Sequence, residues 1–318
     1  MVTSGPGGRR LRRVWLLSSL ALAALVVACT GLQPAELSRA TSLSQSGQHG
    51  AAEAHLRDQL RPRDGRKLSE DDTLMVRSTL IPILENQGRL GEAVELAQDV
   101  HQQWRTRKGE RAPNTIAALG NLGRLYAAIG RTQQALAAQE QSTRQSIEVL
   151  GAWHDSSIAA RTNLAATYVR IGRLVDAIRL QEAAVDASRK TRGNQHLQTL
   201  AALSNLSRSY LAAGDLDRAL ASSDEALRGV SGVSGADSAF ALVARANYVA
   251  VLDARGDTAT AVPTQEGLVG ASVSAWGERH RFTLQPGAAL ARLYARTGRP
   301  PEALQLSTRF LEGAEAVR

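Results

Sequence analysis

The six histidines are the first residues in this sequence with chemistry to offer, as metal ligands or as general bases. Three of them, His154, His196 and His280, fall on one 42-residue register, so they belong to separate units of a periodic chain and stand too far apart to share a metal. They read as linker residues near helix starts. His49, His55 and His101 have no partners at a metal-ligand spacing. The acids Glu70, Asp71 and Asp72 sit where a helix begins and suit its positive end. There is no glycine-rich phosphate loop and no Gly-x-Ser-x-Gly turn. No catalytic constellation, metal set or cofactor site emerges, and the expectation is a protein without chemistry of its own.

A different chemistry recurs at the same interval. Asn121, Asn163, Asn205 and Asn247 lie 42 residues apart. Asparagine is a mediocre helix former, so four in one register need a reason. An amide offers a donor and an acceptor together, which the N–H and C=O of an extended peptide can use at once. Arg124 and Arg208 follow Asn121 and Asn205 by three residues, hence on the same helix face, and the register adds Arg170, Arg292 and Arg296. Arginine's planar fork suits carboxylates, so the partner expected is an extended segment with acidic side chains or a terminal carboxylate. The alternative is that the amides bond within or between helices and the arginines form a solvated face. The ladder breaks at Thr79 and Pro82 on one side and at Ala289 on the other, which confines the expected site to the second to fifth units.

The elements that must carry these residues follow from the same period. Glycine recurs at 88, 130, 172, 214, 256 and 298, with alanine five residues later each time, and a second glycine ladder runs through 109, 151, 193, 235 and 277. Leu122, Leu164, Leu206 and Leu290, with Tyr126, Tyr168, Tyr210 and Tyr294, share the period. In the third unit Ile158, Leu164, Ala165, Tyr168 and Ile171 mark one apolar stripe, and Leu174, Ala177, Ile178 and Val185 a second. The first glycine permits a tight turn between antiparallel helices, the alanine lets them approach, and the second glycine closes the pair. Basic residues before it, such as Arg105, Arg107, Lys108, Arg189, Lys190 and Arg192, suit a helix C-terminus. Only 12 of 318 residues are aromatic, which argues against a strand-rich fold and, with a net charge of just +8, against a nucleic-acid partner.

The pattern Asn121-Leu122-Gly123, Tyr126, Gly130, Ala135, repeated as Asn163-Leu164-Ala165, Tyr168, Gly172, Ala177 and as Asn205-Leu206-Ser207, Tyr210, Gly214, Ala219, resembles the tetratricopeptide repeat in its 42-residue kinesin-light-chain form. The Gly-x-x-His linker of that form appears at Gly151–His154, Gly193–His196 and Gly277–His280, and its proline after the alanine once, at Pro263. The resemblance covers residues 73–318 as six repeats. It implies an all-α, right-handed superhelical solenoid of antiparallel helix pairs whose Asn register lines a concave groove and bonds a peptide backbone there. Residues 34–69 read as a degenerate leading helix pair and a basic loop, with Pro34 as first helical residue, Gly47 at the turn and Ala52 five later. Pro82 should bend or shorten its helix. The last helix, around Leu304, Leu306, Phe310 and Leu311, ends without a polar cap, which makes a homo-oligomer the alternative.

Residues 1–13 carry four arginines and no acid, and residues 14–28 are an apolar run too short to span a bilayer comfortably. Val26-Val27-Ala28-Cys29, holding the one cysteine of the chain, resembles the lipobox of bacterial lipoproteins. That resemblance implies cleavage after residue 28, lipidation of Cys29 and a short tether over residues 29–33. With Thr30 next, it leans towards the periplasmic side of the outer membrane, the inner membrane being the alternative. The function expected is an envelope-anchored, non-enzymatic scaffold for a peptide or protein, the alternatives being a structural assembly subunit or an accessory subunit of an envelope enzyme.

Overall fold

The computed structural model describes residues 34–61, 68–235, 238–278 and 281–315. Cys29, its leader and His280 lie outside them. The described residues form fourteen α-helices and no strand: α1 (Pro34–Gln45), α2 (His49–Gln59), α3 (Glu70–Asn86), α4 (Leu90–Lys108), α5 (Pro113–Ala128), α6 (Thr132–Leu150), α7 (Asp155–Arg170), α8 (Leu174–Arg192), α9 (Leu197–Ala212), α10 (Leu216–Ser234), α11 (Ala239–Arg255), α12 (Thr258–Trp276), α13 (Arg281–Arg296) and α14 (Pro300–Glu315). The chain divides into two compact units within α6, one ending at Ala138 and the other starting at Gln139. After the leading pair, α3 and α4 make repeat one and α13 and α14 make repeat six.

Both glycine ladders have backbone reasons. Gly172 has φ +80, and the residue after it sends its amide back to the tyrosine carbonyl, Arg173 N to Tyr168 O at 2.9 Å. This is the Schellman closure of a helix end. The second ladder is different: Gly193 has φ 85 and ψ 169, an extended mirror-image conformation that side chains do not adopt. Some helix starts are capped by side chains. Ser69 accepts the Asp72 amide at 3.0 Å, while the Nδ1 atoms of His154 and His196 accept the amides of Ser156 and Gln198 at 3.1 and 3.2 Å. His154 and His196 are therefore capping residues.

The alanines between paired helices are fully buried: Ala52, Ala93, Ala135, Ala177, Ala219 and Ala261 are all 0% exposed. A larger side chain there would drive the two helices apart. The acids at helix starts have a second task beyond the helix dipole. Asp71 binds Arg107 and Lys108 at 3.0 and 2.8 Å, and Asp155 binds Arg192, so the first helix of each of these repeats is clasped to the end of its second. Arg192 holds the Asp155 carboxyl below the usual carboxylate range. The leading pair is tied to repeat one through Glu53, which accepts from Arg57, Gln87 and Arg89 at 2.7, 2.9 and 2.7 Å. Burial alone would raise that carboxyl, but the three donors and the Arg89 charge outweigh it and bring it down to about 2.

Pro82 does not shorten its helix. α3 runs unbroken through it for 17 residues, one more than α5, α7 or α9. Pro82 is exposed, so the carbonyl that loses its donor lies toward water, while the flanking Ile81 and Ile83 are buried and hold the helix in place. Pro263, also exposed, is likewise accommodated inside α12.

The tyrosines join successive repeats. Tyr168, Tyr210 and Tyr294 donate their hydroxyls to Glu140, Glu182 and Glu266 at 2.8, 2.6 and 2.7 Å, each on the preceding second helix. A guanidinium covers each ring, Arg173, Arg218 and Arg299, with centroid distances of 4.1, 4.5 and 4.0 Å. Burial and then the carboxylate bond push Tyr168 and Tyr210 up to about 12. Their folded pKa values lie above the unfolded one, near 10. Their contribution to stability is therefore full below pH 10 and is lost as pH rises towards 12. Tyrosinate absorbance and far-UV circular dichroism should change together in that window. A Tyr168→Phe/Tyr210→Phe variant should lose less stability across it; a loss as steep as the parent's would refute the assignment.

Candidate binding face of the first helices

In the first unit, Asn121 borders a hollow of about 210 Å³ with Met75, Ser78 and Thr79. Arg124, one turn on, is ion-paired with Glu85 of repeat one, so its charge is met within the protein. The sequence held the signal for this pair, an acid 39 residues before the arginine. The expectation of a ligand-facing arginine had passed over it.

In the second unit, Asn163, Asn205 and Asn247 take the same register on α7, α9 and α11, each half-buried. Asn247 gives its Nδ2 to Ser204 Oγ at 2.7 Å, a bond between repeats. The residue equivalent to Ser204 for Asn205 is Thr162, whose hydroxyl is already given to the Ile158 carbonyl at 3.0 Å. Among the described residues the amides of Asn163 and Asn205 have no hydrogen-bond partner. Arg170 lies against Thr167 Oγ1 at 3.4 Å, and Arg296 is paired with Asp253 at 2.5 Å. Arg208 is exposed, and no ion-pair partner stands beside it among the described residues. Asn247, Arg124 and Arg296 are thus already engaged, whereas Asn163, Asn205 and Arg208 of the second unit keep donors and acceptors to spare; Asn121, beside its hollow in the first unit, and Arg292 on α13 are likewise without a partner among the described residues.

Sequence reasoning passed over Arg161. It is 8% exposed, with Nη1 on the Ala152 carbonyl at 2.7 Å, and its burial lowers its pKa. It holds the linker before α7 in place. Among the described residues no group of three or more His, Cys, Asp or Glu could hold a metal ion, and no helix is long and apolar enough to cross a membrane.

Models of the tetratricopeptide repeat match residues 72–147, 156–230 and 284–307, together more than half of the chain. The chain belongs to the tetratricopeptide repeat family. Among solved structures, it is similar to the nearly identical TPR-like repeats of a kinesin light chain assigned in Podosopora anserina, at 24% identity and a TM-score of 0.54, covering 64% of this chain and 96% of that one. It is also similar to BtubC from P. vanneervenii, at 18% identity and a TM-score of 0.56, with 73% and 91% covered. A Rap protein complexed with competence and sporulation factor matches at 13% identity and a TM-score of 0.62, with 88% and 76% covered. At these identities the likeness is one of fold. No curated protein matches the chain. The tetratricopeptide fold suits a protein-interaction scaffold, the typical role of such repeats.

Proposed function

We propose that this tetratricopeptide repeat protein is a non-enzymatic scaffold that binds an extended peptide segment on the first-helix face of repeats three and four. The observation that carries the reading is the pair of half-buried, unpartnered amides of Asn163 and Asn205 on successive first helices. A helix surface gains nothing from such a pair on its own, whereas an extended backbone presents the complementary donor and acceptor. Arg208, one turn beyond Asn205 and without a carboxylate, supports acidic side chains or a terminal carboxylate in the ligand. A panel of extended acidic peptides, with free and amidated C-termini, tests this by fluorescence anisotropy. Replacing both Asn163 and Asn205 with Ala should weaken capture at least tenfold with unchanged helicity. Equal capture by parent and variant counts against the face.

The reading includes attachment to a bacterial envelope through a lipidated Cys29, on the periplasmic side of the outer membrane. What supports it is the run Val26-Val27-Ala28-Cys29 after a short apolar core. Intact mass of membrane-extracted protein should show loss of residues 1–28 and a gain of acyl mass. A Cys29→Ala variant should lack that gain; an unprocessed parent chain would remove the anchoring from the reading.

A second reading, assembly of copies through α14, has one observation in its favour. Leu304 is 70% exposed beside a groove of about 620 Å³ along α13 and α14. Phe310, expected at such an interface, is instead 6% exposed inside its own repeat. A monomer in dilute solution sinks this alternative.

A further inference from the structure

The polar ladder is interrupted beside a cavity. The register that holds Arg124 and Arg208 holds Ala250 in repeat five, and the register of the four asparagines holds Ala289 in repeat six. Both alanines line a cavity of about 380 Å³ between α11, α12 and α13. Its walls are apolar, with Leu242, Val249, Leu268, Trp276 and Leu293 among them. An apolar cavity of about 150 Å³ already accommodates benzene, and small-molecule sites start at roughly 300 Å³. Phe240 and Val243, one turn apart on α11, are 54% and 57% exposed, and Val243 is itself a wall residue, so the approach is apolar too.

The polar groups of this cavity are few and unequal. Asp253 is neutralised by Arg296 at 2.5 Å. Arg292, exposed on the same lining, has no ion-pair partner among the described residues and leaves one uncompensated cation. In the wall, Gln265 gives its Nε2 to the Pro286 carbonyl at 2.8 Å, whereas Ser272, 0% exposed, has a hydroxyl with no hydrogen-bond partner.

We infer that this cavity binds a small amphiphilic carboxylate, its aliphatic body seated between α11, α12 and α13 and its carboxylate on the Arg292 guanidinium. The site is separate from Asn163, Asn205 and Arg208, and the inference does not rest on the peptide reading. Decanoate and decanol, titrated into the full chain below their aggregation limits and followed by calorimetry, are the probes. Decanoate should bind one to one and decanol, with the same chain and no charge, at least tenfold more weakly. Arg292→Gln should erase that difference. Ala289→Leu, which fills the cavity, should abolish binding of both with unchanged circular dichroism, and Ala250→Val serves if that variant does not fold. Absence of decanoate binding, equal affinity for the two probes, or binding that survives both filled cavities would overturn the inference. So would an acidic peptide that Ala289→Leu blocks and decanoate does not displace, since the cavity would then hold a peptide side chain.

Discussion

Phe310→Ala should cost about 3 kcal/mol, Gly287→Leu roughly 2 kcal/mol, and the two together less than either alone. A Cβ at Gly287 would lie 2.3 Å from the Phe310 ring, which therefore fills the space that a side chain at 287 would need. Two repeats earlier the same registers are occupied by Leu203 and Ala226, both buried in one cluster. The volumes are exchanged between the helices, large on the first in repeat four and large on the second in repeat six. The double variant recreates the repeat-four arrangement, so its recovery measures the coupling directly. Urea unfolding of the four proteins would show it. Costs that simply add would mean that the ring and the glycine do not share one space.

The same substitution should have unequal consequences on the two glycine ladders. Gly193→Asn is expected to destabilise by about 2–3 kcal/mol, because φ 85 with ψ 169 is closed to side chains. Gly256→Asn should cost less than about 1 kcal/mol, because φ 77 with ψ 11 is the left-handed helical well that asparagine tolerates. Neither position has an atom within 4 Å of an added Cβ, so crowding does not enter and the backbone alone decides. Thermal unfolding of both variants is the test, and equal shifts in midpoint would contradict the argument.

The helices and their pairing were legible because they rest on features that recur: the glycine that turns, the alanine that lets helices touch, the leucine and tyrosine that fill the space between. Each is dictated by backbone geometry or burial inside one repeat, and a single chain shows it several times. What was not legible depends on neighbours that do not recur. Arg124 meets Glu85, and Asn247 meets a serine where Asn205 has a threonine turned to its own helix. Phe310 is buried because residue 287 happens to be glycine. Pro82 was read through its lost hydrogen bond alone, while the buried isoleucines on either side keep α3 whole. The cavity in repeats five and six was visible only as an interruption, Ala289 where an asparagine was due.

The tyrosine hydroxyls give the array a direction in time. Tyr168 reaches back to Glu140, Tyr210 to Glu182 and Tyr294 to Glu266, in every case across 28 residues. On the ribosome the carboxylate emerges before the hydroxyl that needs it, so each new first helix docks onto an acceptor already in place.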